Sequence, residues 1–356
     1  MNRTITINIP ALPLPTTTAA VLGGALTDWT AIGVSKTEAQ DLEHPLQLAK
    51  SLDAANIPFR WRCSSKLCTD LSPTKNEHDA PFYVWPEQPK ILALIPHWRC
   101  ERWLRRCLSS LQQQTYSLCH TVVIDDASAQ PPLEIVKTFP QVTLLVSPQR
   151  VGPYRLIQSV IDATDYDAYL FQDADDWSSE DRLATVLQTA RQYGAELVGC
   201  QEIRVLESGA GDSALQAVGY PLDVNQALSK APGHALLHPT SLVTRHLVQR
   251  LEGFATGLKF GGDTEFLLRA HWVARVVNSP RYCYFRRKRP DSLTTATATG
   301  LDSAARQRLT QTMKERAIAN HQAAACDRPL KLKPLKVSPP IALNHICGPS
   351  LRRKQA

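Results

Sequence analysis

The sequence predicts an α/β protein built on a doubly wound, mostly parallel sheet with helices on both faces, and three observations carry that expectation. Short runs rich in Val, Ile and Leu recur at Ile91–Ile95, Thr121–Ile124, Val142–Val146, Ala168–Phe171 and Glu196–Gly199, with helix-like segments between them. The runs are apolar at consecutive positions, as strands covered on both faces are. Polar residues collect just beyond them, at Pro96–Trp98, Asp125–Ser128 and Asp173–Asp176, where open α/β sheets bind ligands.

Composition bounds the rest. At 356 residues, 43% hydrophobic and 21% charged, the chain has room for about two domains and is not a disordered, collagen-like or coiled-coil sequence. No apolar run approaches the roughly 18 residues of a membrane span. Pro10, Pro13 and Pro15 interrupt any leader, so a secretory signal is not expected. The nine cysteines are odd in number and scattered without a CxxC, which reads as free thiols in a reducing cytoplasm. Of the net charge of +7, the stretch from Asp327 onward carries +6, so the body is near neutral. Basic residues without aromatic interleaving give no expectation of nucleic-acid binding.

Along the chain, residues 1–88 form an accessory segment of unassigned role, with a helix expected over Pro45–Ala55 and a strand over Phe82–Trp85. The first regular helix is Glu101–Gln113, where Trp103, Leu104, Cys107, Leu108 and Leu111 make one apolar stripe. The next clear one is Ser179–Tyr193, with Leu183, Val186, Leu187 and Ala190 inside, Ser178 and Asp181 as its cap, and Gly194 as its stop. A further amphipathic run is Thr264–Ala270. The Pro- and Lys-rich tail from 327 cannot sustain a long helix and is either extended over the body or disordered. It reads first as a solubilising end, and alternatively as a site of attraction to anionic lipid or an acidic partner.

Three carboxylates within four residues, Asp173, Asp175 and Asp176, repel unless a cation sits among them, and hard oxygen ligands suit Mg²⁺ or Mn²⁺. The alternative is that they open the following helix, where acids meet the positive end of its dipole. Asp125 and Asp126 are equally good turn residues. Asp263, after Gly261 and Gly262, reads as a helix N-cap, as a general base, or as both.

The order of motifs is more specific than any of its parts. VIDDAS (123–128), Gly152, FQDADDW (171–177), GFATGLKFGGDTEF (253–266) and YFRRKRPDSLT (284–294) follow one another, and together they resemble the family 2 glycosyltransferases, with their GT-A fold, across about residues 90–310. The resemblance implies a metal-dependent inverting transfer of sugar from a nucleotide-sugar, by default a UDP-sugar, to a hydroxyl on a glycan, a lipid-linked or another acceptor. It divides the chain into a donor-binding half (89–204), an acceptor-binding half (205–315) and a basic extension (316–356). It places Asp126 on the nucleotide base, Asp125 on the ribose or in support, and Pro96 at the loop that approaches the base. Asp173 falls to the ribose, and Asp175 or Asp176 to the Mn²⁺ or Mg²⁺ ion. Asp263 becomes the catalytic base, with His238 and Glu265 on the acceptor side. Arg155, Arg287 and Arg289 become donor contacts, their planar guanidinium suiting phosphate. Gly262 stands where the family often has Glu, Arg289 where it often has His, and Ile157–Gln158 where it often has Arg-Asn. These departures frame the alternative of a degenerate member that binds a nucleotide-sugar or glycan without turnover. The expected location is cytoplasmic, with peripheral contact to the inner face of an anionic membrane through the tail.

Overall fold

A computed structural model describes residues 5–9, 35–38, 59–63, 80–207, 213–289 and 292–352. In chain order the strands are β1 (Ile5–Ile9), β2 (Ser35–Glu38), β3 (Phe59–Cys63), β4 (Ile91–His97), β5 (His120–Asp125), β6 (Val142–Val146) and β7 (Ala168–Phe171). They continue as β8 (Trp177–Ser178), β9 (Leu197–Glu207), β10 (Ser213–Gly219), β11 (Leu242–Thr244), β12 (Val276–Lys288) and β13 (Asn344–Cys347). The helices are α1 (Glu101–Gln112), α2 (Leu133–Val136), α3 (Pro153–Ala163), α4 (Arg182–Tyr193), α5 (Val224–Lys230), α6 (Arg245–Arg250), α7 (Gly262–Ala270) and α8 (Ala304–Ala325).

Strand β4 shows how the sequence makes the layers. Its odd residues Ile91, Ala93 and Ile95 enter one buried cluster and its even residues Leu92 and Leu94 another, because successive strand side chains point to opposite faces. Helices α1 and α4 cover the first face through Leu104, Leu108, Leu183 and Val186. Helices α3, α7 and α8 cover the second through Leu156, Val160, Phe266 and Met313. Each such fully buried aliphatic side chain contributes about 1.5–3 kcal/mol.

The central order is β6-β5-β4-β7, all parallel. The sheet turns mixed beyond it, where β11 is antiparallel to both β7 and β9 and β12 is parallel to β9. From β4 in the middle the chain winds outward to β6, then crosses to β7. The switch point therefore lies between the ends of β4 and β7, the place where such sheets open a crevice.

The five expected strands are present, and the last is longer than expected. Gly194 does stop α4, in the left-handed conformation at φ 57°. Three expectations change. Phe82–Trp85 is not a strand; the segment is tied to the end of α4 by Tyr83 N–H to the Gly194 carbonyl (2.9 Å) and Trp85 Nε1 to the Ala195 carbonyl (2.9 Å). Ser178 does not cap α4, because it is drawn into β8 and its hydroxyl donates to Gln172 Oε1 (2.8 Å). Asp181 holds the N-cap position without a side-chain cap bond and pairs instead with Arg281. The helix expected over Pro45–Ala55 lies outside the described residues. The divisions at 204/205 and 315/316 fall inside β9 and α8.

The tail lies extended over the body. Leu332, Leu335 and Leu343 pack on the second-face cluster, and Gly257 N–H binds the Lys336 carbonyl (3.0 Å). The tail ends by adding β13 antiparallel to the β6 edge. Among the described residues no helix is long and apolar enough to cross a membrane.

Candidate active site

The site has three corners, at the ends of β5 and β7 and at the start of α7. At the end of β5, Asp125 is fully buried and accepts from His97 Nδ1 (2.7 Å) and Ser128 N–H (2.8 Å). Cys100 N–H points at His97 Nε2 (3.3 Å), so Nε2 is the acceptor and Nδ1 carries the proton given to Asp125. Asp125 is thereby committed to fixing the β4 and β5 ends together. Asp126 accepts Val151 N–H (2.7 Å) and Gly152 N–H (2.9 Å), pinning the loop that opens α3. Burial raises its pKa, while those two bonds and Arg150 act against the rise. Pro96 lies within β4, in register with Ile124, beyond the last β4 residue paired to β7, where its missing N–H costs no ladder bond. The two arginines flanking Gly152 part company. Arg150 sits 3.5 Å over the Trp98 ring, whereas Arg155 turns away and donates to the Pro339 carbonyl of the tail (2.7 Å).

The second corner follows β7. Pairing of β8 with Tyr284 and Phe285 of β12 carries the basic motif to the carboxylates. Tyr284 OH accepts Asp173 N–H (3.2 Å) and donates to Asp176 Oδ2 (2.9 Å), and Arg287 N–H takes Asp176 Oδ1 (2.7 Å). Arg287 Nε donates to the Asp175 carbonyl (3.1 Å), and Arg289 Nε to Asp175 Oδ2 (2.8 Å). Asp173, Asp175, Asp176, Arg287 and Arg289 are thus one group. Burial first, then the neighbouring Asp175, push Asp173 up to about 7. Asp176 lies well above the usual carboxylate range for the same reasons. Such repulsion fits a divalent cation. Among the described residues no three metal-ligating side chains form a site. Mg²⁺ sites completed by substrate phosphates need only one or two protein carboxylates. Trp177 is packing, stacked on Phe285 at 5.1 Å.

The third corner is α7. Its N-cap is Gly261, left-handed at φ 74°, so Asp263 stands in the first turn rather than at the cap. Tyr154 OH donates to Asp263 Oδ1 (3.0 Å). Burial raises the Asp263 pKa, but His234, His238, Thr264 N–H and the Tyr154 hydroxyl outweigh it, and the net shift is downward. Burial also lowers His234, and His238 to about 4; the fields of these two histidines come first among the causes that lower Asp263, and the two hydrogen bonds follow. His238 lies on a short 3₁₀ turn, His238–Thr240, rather than on a strand, with its ring 4.0 Å from that of Phe171. The fields of Asp263 and Asp173 reach each other, which joins the second corner to the third. Glu265 is not brought there. It is buried, bound by Arg269 (2.8 Å), Arg316 (3.1 Å) and Leu335 N–H (3.0 Å), and it fastens the tail to α7.

Sequence reasoning missed Tyr154, Tyr284, His234 and Arg182. Arg182 is fully buried and ties the Phe171 carbonyl (2.7 Å) and Gln172 to the Pro239 carbonyl (2.7 Å), clamping the second corner to the turn of the third. The two tyrosines lie 109 and 108 positions from the carboxylates they serve, and no local spacing signals such pairs. A separate cavity of about 400 Å³ between α3, α6 and the tail is lined by Arg155, Gln158, Asp162, Glu252 and Val337, and by none of the corner carboxylates.

Residues 93–235 match the sequence profile of the family described as Glycosyl transferase family 2. Glycosyltransferase GlyA of Streptococcus pneumoniae serotype 4 (strain ATCC BAA-334 / TIGR4) is 28% identical over 111 residues, 30% of this chain and 16% of that protein. The chain thus spans only a small part of that relative. Among solved structures, residues 1–349 of S. aureus TarS in complex with UDP-GlcNAc align at a TM-score of 0.48 with 16% identity, covering 66% of this chain and 73% of that one. Mannosyltransferase PcManGT from Pyrobaculum calidifontis, in complex with GDP-Man and Mn²⁺, aligns at 0.44 with 17% identity, covering 70% and 69%.

Proposed function

We propose, from the match of residues 93–235 to the glycosyl transferase family 2 model, that the chain moves a sugar from a nucleotide-sugar, by default a UDP-sugar, to an acceptor hydroxyl with inversion, using Mn²⁺ or Mg²⁺. The observation that carries the reading is that Asp263, pushed downward, lies within the field of Asp173, which is pushed upward with its neighbour Asp176. Asp126 suits a nucleoside as an acceptor for the N3–H of uracil, with Arg150 in its field and lying over the Trp98 ring. Asp175 or Asp176 would hold the cation, which would supply positive charge to offset that of the departing diphosphate. Arg289 and Arg287 face the same phosphates. Asp263 takes the acceptor hydroxyl's proton as that oxygen bonds to the anomeric carbon. The bond from that carbon to the diphosphate oxygen breaks, and its electron pair leaves with the nucleoside diphosphate. Inversion follows the family resemblance. His238 lines the acceptor side, while Arg155 and Glu265 serve the tail. Lys331 and Lys333 are exposed on that tail, and peripheral attraction of a cytoplasmic enzyme to an anionic membrane is part of the same proposal. The experiment is a thermal-shift panel of nucleotide-sugars with and without Mn²⁺, followed by release of nucleoside diphosphate from the best donor. Release lost in Asp175→Ala supports the reading. Tight donor binding with no turnover over a broad set of acceptors favours the binding-only alternative.

A further inference from the structure

We propose that Tyr154 is a positioning residue: its hydroxyl holds one oxygen of the Asp263 carboxylate and leaves the other for the acceptor, and position 262 is glycine to admit its ring. The inference rests on the assignment of Asp263 as the base, and it accounts for the departure of Gly262 from the family pattern. A Cβ built on Gly262 would stand 2.8, 2.9 and 3.0 Å from Tyr154 ring carbons. Tyr154 is buried and its ring runs parallel to Phe254 at 6.5 Å, so there is little room for it to retreat. Any side chain at 262 displaces the ring, and with it the hydroxyl 3.0 Å from Asp263 Oδ1. The position reserved in the family for a second carboxylate is here surrendered to a phenol that holds the remaining one.

The placement of Tyr154 is itself fixed from the donor side. Asp126 binds Val151 and Gly152 N–H, Pro153 opens α3, and Tyr154 follows. One rigid turn therefore links the carboxylate of the nucleoside corner to the base. Burial, followed by the field of Asp263, keeps the phenol well above its ordinary pKa, so it stays a donor throughout the working range. The other groups facing Asp263 are His234 and His238 from the segment before β11, Arg306 from α8, and Asp173 across the crevice. Of the side chains, Tyr154 is the one whose hydrogen bond contributes to the shift of Asp263.

The test compares wild type, Tyr154→Phe, Gly262→Ala and the double variant as full chains, with melting temperatures confirming the fold. The probes are UDP-glucose, UDP-galactose and UDP-N-acetylglucosamine with Mn²⁺. Loss of one hydrogen bond to a carboxylate lowers kcat by about ten- to a hundredfold, with KM for the donor little changed and the acid limb of the pH–rate profile moved to higher pH. Gly262→Ala reproduces this, and the double variant is no worse than the poorer single one, since both act through one contact. An unchanged kcat and acid limb in Tyr154→Phe overturns the proposal, and multiplicative losses in the double variant overturn the link to Gly262. A ¹³C NMR titration of the Asp263 carboxyl keeps this separate from the transferase reading. If no donor is turned over, that reading fails. The titration still decides whether Tyr154 holds Asp263. A midpoint below the ordinary 3.8 in wild type that rises in Tyr154→Phe supports it. A wild-type midpoint at or above 3.8, or no rise, overturns it.

Discussion

The carboxylates after β7 and the carboxylate on α7 are the same chemical group in opposite circumstances. Asp176 is buried and Asp173 half-buried, both in the field of Asp175, and both are pushed upward, Asp173 to about 7. Asp263 is half-buried too, but the fields of His234 and His238, then hydrogen bonds from Thr264 N–H and Tyr154, push it downward. At neutral pH the first region is short of positive charge, while the second is an ionised acceptor waiting for a proton. Environment, more than residue type, separates a cation-seeking site from a base.

The comparison is sharpest along α7 itself, where Glu265 follows Asp263 by two residues. Glu265→Gln leaves Arg269 buried without its full partner, and removing one member of a buried pair costs about 3–5 kcal/mol. Urea unfolding is expected to show that loss, with residues 327–352 becoming open to limited proteolysis as the anchor at Leu335 N–H weakens. Asp263→Asn is expected to do the reverse. The cap is Gly261, so stability changes little, whereas turnover falls by about 10²-fold or more with the donor dissociation constant nearly unchanged. If the Asn variant turns over like wild type, the base is another group and the contrast between the two regions fails.

Much of this was legible beforehand. The five strands, α1, the stop at Gly194 and the carboxylate positions at strand ends follow from periodicity and from where open sheets place polar residues. The unread parts depend on distant pairing. Ser178 looked like a cap because Ser-x-x-Asp is a local pattern, but β12 claims it for β8. Glu265 looked like a site residue because it lies two residues from Asp263, yet two steps along a helix turn a side chain by about 200° and send it to Arg269 and the tail. Arg155 looked like a donor contact because it follows Gly152, yet it turns to the tail, while Arg150 on the other side of Gly152 lies over Trp98. Gly262 was the one local hint of Tyr154. A glycine in a helix's first turn, where the family carries a side chain, marks space already taken.

The donor region gives the next prediction. UDP at a hundred times its dissociation constant adds about 2.7 kcal/mol of stability by mass action, and that gain is expected with Mn²⁺ and not in excess EDTA. Asp175→Ala removes it even with Mn²⁺ present. Equal stabilisation in EDTA means the arginines alone neutralise the diphosphate, and the carboxylates then have no cation-binding role to contrast with Asp263.

The smallest effect concerns the pH dependence of folding, where the two regions pull in opposite directions. His238 falls from its ordinary 6.5 to about 4, chiefly through burial. Between those values the unfolded chain binds a proton that the folded one refuses, so the stability His238 allows is full above 6.5 and is lost as pH falls toward 4, by no more than about 1.4 kcal/mol per pH unit for one group. Asp173 has the opposite sign. Its raised folded value means the native state holds a proton that the unfolded chain has released, so stability rises as pH falls from about 7 toward 3.8. The shift of Asp263 lies below that window and adds nothing within it. His238→Gln is therefore expected to remove one of two opposed contributions and move the stability optimum to lower pH, read as urea midpoints between pH 4.5 and 7.5 in EDTA. His234, also lowered by burial, keeps part of the acid loss, so the move is partial. An optimum that stays where it is in wild type means His238 is not held neutral beside Asp263. The low pKa of Asp263 then owes more to a charged imidazole than to its hydrogen bonds.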